Sequence, residues 1–154
     1  MLDNKGFDLW ADGYDEDVDI TDDDNSYPFA GYKEILGKIY QRIMEKPSAI
    51  VLDLGFGTGK LAAKLYENGC TIYGQDFSDK MIALAQEKMQ TAHLYKGDLT
   101  EGLVEPLKQY KYDFIVATYS LHHLSDEQKI TLLKELRKHL KEDGVILIEV
   151  RSSD

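Results

Sequence analysis

The chain has 154 residues and a formal net charge of −10 at pH 7. This length fits one domain with a hydrophobic core, and the negative charge disfavours nucleic acids and anionic membranes as partners. A single cysteine, Cys70, excludes an internal disulfide, and no stretch matches a signal peptide or a membrane span, so we expect a cytoplasmic protein.

The first segment, residues 1–31, is dense in carboxylates and shows little hydrophobic periodicity. Its aspartates do not match a calcium-binding loop, because Ile20 and Ser26 stand where that loop requires glycine and glutamate. We therefore predict no metal site here. We interpret the segment as a solvated acidic region that precedes a folded domain over residues 32–154.

Regular patterns begin near Tyr32 with a helical stretch that ends before Pro47. Short apolar runs then alternate with predicted helices over residues 60–68, 79–89 and 126–140, the last preceded by a capping-box spacing at Ser125 and Gln128. This alternation predicts an α/β fold with a doubly wound parallel sheet, helices on both faces and a ligand site at the carboxyl ends of the strands. The predicted strands are "AIVLDL", "TIYGQD", "AHLYKGD", "YDFIVAT" and "VILIEV".

The stretch "VLDLGFGTGK", residues 51–60, places three glycines between the first predicted strand and a helix. Glycine permits unusual backbone angles and lets a ligand approach the main chain, while the following helix presents free N–H groups. Lys60 stands where a dinucleotide fingerprint requires its last glycine, so a nicotinamide or flavin cofactor is disfavoured. A purely structural turn remains an alternative.

The second predicted strand ends at Asp76, about 20 residues after the glycine turn, where dinucleotide-binding sheets place an acid on a ribose. A carboxylate here is suited to accept hydrogen bonds from both ribose hydroxyls. The alternative interpretation is a solvated acid at the strand end, or the N-terminal charge of the next helix.

Several motifs in order, together with the acid at Asp76, resemble a class I S-adenosylmethionine-dependent methyltransferase. The sequence is most similar to the small bacterial members that act on small molecules, and its upstream "FDLWADGYDEDV" resembles the N-terminal Trp-Ala-x-x-Tyr-Asp segment of that family. The resemblance implies a Rossmann-like sheet of strand order 3-2-1-4-5. The matching stretches are "VLDLGFGTG", "YGQDFSDKMIALA", "KGDL", "YDFIVATYSLHHLSDEQK" and "LKEDGVILIEV".

The resemblance also implies which residues hold the methionine part of the cofactor. Asp53 would hold the amino group through a water molecule, and the carbonyl of Thr118 would reach the same amine. Tyr14 would cover the methionine and the sulfonium end as part of an N-terminal lid. An aromatic ring attracts a sulfonium cation through its quadrupole. The glycine turn would frame the methionine through Gly55, Phe56, Gly57 and Gly59.

For the nucleoside part, the resemblance implies that Asp76 takes the ribose hydroxyls and that Phe77 packs on the adenine. Asp98 would accept a hydrogen bond from the adenine amino group, and the backbone of Leu99 would complete the contacts of the ring.

Acceptor-side candidates are Tyr14, Tyr119, His122 and His123. A base is needed only if the acceptor has a proton to lose, so we assign no catalytic residue. One of the histidines would alternatively pack or hydrogen-bond within its loop.

We therefore predict methyl transfer from S-adenosylmethionine to a small-molecule acceptor by in-line displacement, with S-adenosylhomocysteine as the product. The alternative is a non-catalytic module that binds S-adenosylmethionine or S-adenosylhomocysteine and serves regulation or assembly. A nucleotide-dependent oxidoreductase is the least favoured reading. The resemblance further implies two strands after the fifth that this sequence lacks, so we expect an exposed apolar fifth strand to favour a homo-oligomer.

Overall fold

A computed structural model describes residues 29–57, 59–118, 120–121 and 123–149. The described strands are β1 (Ile50–Leu54), β2 (Thr71–Asp76), β3 (His93–Lys96), β4 (Tyr112–Thr118) and β5 (Leu140–Glu149). The described helices are α1 (Phe29–Met44), α2 (Lys60–Glu67), α3 (Asp79–Lys88) and α4 (Asp126–Arg137). Two short 3₁₀ helices, Leu99–Glu101 and Glu105–Gln109, connect β3 to β4.

The strands form one sheet in the order β3-β2-β1-β4-β5, and every neighbouring pair is parallel. Asp53 of β1 is paired with Gly74 of β2 and with Val116 of β4, so the central strand has neighbours on both sides. The predicted Rossmann-like fold and strand order are confirmed. Because all strands run the same way, their carboxyl ends meet at one edge, where this fold binds ligands.

Hydrophobic residues fill both faces of the sheet, as expected for parallel strands covered by helices. On one face, buried residues of α1, α2 and α3 surround Val51 and Phe114. On the other face, Leu132 and Leu136 of α4 pack with the 3₁₀ segments and Leu52. The prediction of helices on both faces is therefore confirmed.

The predicted cap of α4 is confirmed. The Ser125 hydroxyl accepts the N–H of Gln128 at 3.1 Å, and the Gln128 side chain accepts the N–H of Ser125 at 2.9 Å. The predicted end of this helix at Leu140 is wrong, because α4 ends at Arg137. The Tyr112 N–H donates to the His139 carbonyl at 2.8 Å, so the chain has already entered the sheet when it reaches Leu140.

The fifth strand lies at one edge of the described sheet, beside β4, and its register is irregular. Tyr112 pairs with Leu140 and Phe114 pairs with Val145. An advance of two residues along β4 therefore corresponds to an advance of five residues along β5. Residues 145–148 are half-buried and apolar. Self-association through this edge stays a prediction. Among the described helices, none combines the length and the apolar character needed to cross a bilayer.

Candidate functional site

All three glycines of the turn after β1 have a left-handed backbone, with φ of 68° at Gly55, 59° at Gly57 and 81° at Gly59. A side chain at Gly55 would also place its Cβ 2.4 Å from the Cβ of Ser120. The Ser120 hydroxyl donates to the Leu54 carbonyl at 2.8 Å, which holds the loop after β4 against the turn. Backbone shape and close packing therefore both require glycine here, whatever ligand the turn meets.

Asp76, at the end of β2, links the glycine turn to the start of α3. It is 6% exposed, its Oδ2 accepts the Gly57 N–H at 2.9 Å, and its Oδ1 accepts the Ser78 N–H at 3.0 Å. Burial raises the pKa of Asp76, and the backbone N–H groups of Ser78 and Gly57 oppose that rise. The structure thus brings two predicted site residues, Gly57 and Asp76, into direct contact.

Asp53 lies on β1 beside the strand that ends at Asp76, and it is 4% exposed. Its Oδ1 is buried and has no hydrogen-bond donor among the described residues. Burial raises the pKa of Asp53 to about 8, and the negative charge of Asp76 contributes to the rise. A buried carboxyl without a donor is costly, so this group marks a position suited to a ligand cation.

The two phenylalanines predicted near the cofactor occupy different environments. The side chain of Phe77 is 72% exposed at the end of β2, where a flat ring is free to stack. The ring of Phe56 is buried in the core, so close to Gly74 that a Cβ there would lie 2.7 Å from it. A contact of Phe56 with the cofactor is therefore limited to its main chain.

Asp98, after β3, caps the first 3₁₀ helix, because its Oδ1 accepts the Thr100 N–H at 2.9 Å. That hydrogen bond, a second one with the Thr100 side chain and a smaller contribution from the charge of His123 lower the pKa of Asp98. The Leu99 side chain is buried in the second core, which leaves its backbone for a ligand contact. His123 is exposed and is within electrostatic range of the predicted adenine-binding acid.

The remaining predicted site residues are placed only in part. Thr118 is buried at the carboxyl end of β4, as its predicted role requires, and its carbonyl contact stays a prediction. Tyr14, Tyr119 and His122 lie outside the described residues. Within the described residues, no three acidic, cysteine or histidine side chains form a group suited to a metal ion.

Two polar residues of this region, Ser120 and Gln75, were missed by the sequence analysis. Gln75 is fully buried, donates from Nε2 to the Gly102 carbonyl at 3.0 Å and accepts the Val104 N–H at 3.0 Å through Oε1. These two hydrogen bonds connect the segment after β3 to β2. The one sequence signal of Gln75 is an amide within the predicted strand "TIYGQD", next to the acid at the strand end.

Comparison with known proteins adds an independent observation. The methyltransferase domain family matches residues 51–144, which include the glycine turn and the ends of β1 to β4. An uncharacterized methyltransferase of Geobacillus sp. (strain WCH70) is 37% identical over 142 residues, covering 92% of this chain and 63% of that protein. This chain belongs to the methyltransferase domain family. It spans 63% of the length of that relative, which is less than two thirds.

Solved methyltransferase structures share the fold. A TehB-like S-adenosylmethionine-dependent methyltransferase of Corynebacterium glutamicum has a TM-score of 0.66 and 20% identity, covering 92% of this chain and 72% of that chain. CalS10, an amino pentose methyltransferase of Micromonospora echinaspora solved with S-adenosylmethionine, has a TM-score of 0.64 and 20% identity, covering 76% and 50%. At this identity the likeness concerns the fold.

The described residues at the carboxyl ends of the strands fit the chemistry of S-adenosylmethionine. The cofactor carries an ammonium and a sulfonium cation, and the buried Asp53 Oδ1 has no donor among the described residues. Its ribose presents two hydroxyls, and each oxygen of Asp76 keeps acceptor capacity beyond the one N–H it already binds. Its adenine needs an apolar face, which the exposed ring of Phe77 offers.

Proposed function

We propose that this chain binds S-adenosylmethionine across the carboxyl ends of β1, β2 and β3 and transfers the methyl group to a small-molecule acceptor. The contact between the Gly57 N–H and the Asp76 carboxylate, at 2.9 Å, carries the proposal. This hydrogen bond holds Asp76, the proposed ribose acceptor, beside the glycine turn, which is the proposed binding place of the methionine part.

The chain's own residues would hold and orient the cofactor. Asp76 would accept both ribose hydroxyls, Asp53 would face the ammonium group, and Phe77 would cover the adenine. When bound, S-adenosylmethionine supplies a methyl group activated by its positively charged sulfur, for direct in-line transfer to the acceptor. Alignment of two reactants in one site accounts for about 7–11 kcal/mol of barrier reduction in favourable cases, so positioning is the main task of the protein.

The proposed acceptor is a small neutral or cationic molecule. The net charge of −10 disfavours phosphate-rich acceptors such as nucleic acids. Support also comes from the amino pentose methyltransferase CalS10, which shares the fold and is named for a small acceptor. Tyr14, Tyr119 and His122 stay acceptor-side candidates, whereas the charge of His123 acts on Asp98, which favours a place near the adenine.

Calorimetric titration with S-adenosylhomocysteine tests the cofactor site without knowledge of the acceptor. We expect Asp76→Ala to weaken binding about 100-fold, since hydrogen bonds to a charged group contribute about 1.5–3 kcal/mol each. Asp143→Ala is the matched control, because it removes the same charge at an exposed position near the amino end of the sheet. Wild-type affinity in Asp76→Ala, with the protein folded, would contradict the proposed ribose contact.

Transfer itself is tested with methyl-labelled S-adenosylmethionine and a panel of small amines, alcohols and thiols. Label found in a small acceptor supports the proposed reaction. Tight binding of S-adenosylhomocysteine without any transfer across the panel and a metabolite extract would favour the non-catalytic binding module instead.

A further inference from the structure

The Asp53 carboxyl is the most poorly compensated charged group that the structure describes near the cofactor site. It is 4% exposed, and its Oδ1 meets no donor among the described residues. The neighbouring acid, Asp76, also buried, uses its two oxygens to accept backbone N–H groups of Gly57 and Ser78. Two buried carboxylates on adjacent strands repel each other when both are ionised.

Among the described residues, the neighbours of Asp53 in the sheet and in the turn after β1 carry no positive charge to offset this repulsion. Its strand partners are Gly74 and Val116, which are uncharged, and the turn 55–57 carries no charged side chain. Lys60 is the next charged residue along the chain. Like Lys60, three further cations of α1 and α2 have contacts of their own. Lys38 lies 3.9 Å from Glu34, Arg42 lies 3.5 Å from Glu45 and 5.4 Å from the centre of the Phe114 ring, and Lys64 lies 5.0 Å from the centre of the Tyr40 ring.

Building on the proposed cofactor, we propose that the ligand-free chain holds one proton on the Asp53–Asp76 carboxyl pair and that binding of the cationic methionine end expels it. The O–H bond of the carboxyl breaks, the electron pair stays on oxygen, and the proton passes to the buffer. The ligand cation then replaces the proton as the positive partner of the pair. Asp53 in this role is a specificity-determining residue, since a ligand without a cation at this end leaves the proton in place.

The direction of the pH effect follows from burial. Burial raises the pKa of Asp53 to about 8, so the carboxyl is mostly protonated at pH 7 in the ligand-free chain. A cation beside it lowers that pKa, because an opposite charge favours the ionised form. Affinity should therefore rise with pH below 8, by up to about tenfold per unit, and level off above it.

The test is calorimetric titration with S-adenosylhomocysteine at pH 7 in phosphate and in Tris, two buffers of different ionisation enthalpy. The difference in measured heat gives the number of protons released per ligand bound, without any need for turnover. We expect the wild-type chain to release nearly one proton. Asp53→Asn, which is neutral and of similar shape, should release none and bind with an affinity that does not change between pH 6 and 8.

Each outcome bears on a different claim. Binding without proton release by the wild-type chain overturns this inference and leaves the proposed function intact. Equal proton release by wild type and Asp53→Asn also overturns it, because the proton then belongs to another group. Absence of binding in folded wild-type chain overturns the proposed function and the inference together. The number of protons that the wild-type chain releases per ligand tests the inference even if Asp53→Asn does not fold.

Discussion

The two ends of the sheet both bury aspartates, but with different partners. At the amino end, Asp113 is 5% exposed, accepts the Ile50 N–H at 2.8 Å and lies 3.8 Å from Lys46 Nζ and 3.5 Å from Lys141 Nζ. At the carboxyl end, Asp53 is 4% exposed, and its Oδ1 has no donor among the described residues. Burial is nearly equal, so the partners distinguish the two residues.

The difference separates a structural acid, Asp113, from the proposed ligand-binding acid, Asp53. A buried carboxylate between a backbone donor and two lysines joins β1, β4 and β5 and needs nothing further. A buried carboxyl without positive partners is destabilised when it is ionised. Such a group is expected where a ligand later supplies the charge, and titratable groups with shifted pKa values cluster at functional sites in general.

The largest expected effect is a pH dependence of stability at the carboxyl end. The folded pKa of Asp53 is raised to about 8, above the unfolded value, so the native chain binds the extra proton between roughly pH 4 and 8. Stability should then fall as pH rises through this window, by at most about 1.4 kcal/mol per unit. Urea unfolding at pH 5, 6 and 7 measures the slope.

Asp53→Asn is the control for that slope, since the amide does not titrate. We expect the difference in unfolding free energy between variant and wild type to grow in favour of the variant as pH rises. Parallel pH curves for the two proteins would show that Asp53 does not carry the proton.

A second contrast between the ends concerns glycine. Gly55 at the carboxyl end has φ of 68°, and an added Cβ would lie 2.4 Å from Ser120, whereas Gly69, before β2, has φ of 102° and open space around its Cβ position. We expect Gly55→Ala to destabilise by about 3 kcal/mol, from strain and overpacking together, and Gly69→Ala by about 1 kcal/mol, from strain alone. Thermal unfolding compares them, and equal losses would contradict the packing argument.

An effect smaller than that of Gly55→Ala is expected for the buried acid at the amino end. Asp113→Ala should cost about 2 kcal/mol of unfolding free energy, because the Ile50 N–H loses its acceptor. The contribution of the two lysines is small, since both are half-exposed and solvent screens them. Chemical denaturation measures the loss, and an unchanged midpoint would show that Asp113 does not hold the strands together.

The fold was predictable because its signals are local. Apolar runs, a capping box at Ser125 and glycine at strand ends each depend on residues close in the sequence, and the structure confirms the sheet order that the resemblance implied. The wrong end of α4 has a non-local cause. Leu140 pairs with Tyr112 of β4, and periodicity within the helix gives no sign of this contact.

The acids of the candidate site were predictable from the sequence, whereas the residues that hold the surrounding loops in place were less so. Asp76 and Gly57 were expected from spacing, but their direct hydrogen bond depends on how β1 and β2 pair. The reason for Gly55 lies 65 positions away at Ser120, and Gln75 binds the chain beyond the first 3₁₀ helix. Phe56 differs from these residues, because its place within the glycine motif suggested a ligand contact, whereas its ring belongs to the core and leaves only the main chain for such a contact.

The most direct test of the account compares S-adenosylhomocysteine affinity across wild type, Asp76→Ala and Asp113→Ala, each checked for folding at the temperature of titration. We predict wild-type affinity near the micromolar range, about −8 kcal/mol, a loss of about 100-fold in Asp76→Ala and a change of less than about threefold in Asp113→Ala. Equal weakening in both variants, or none in Asp76→Ala, would contradict the division between a ligand-binding and a structural end of the sheet.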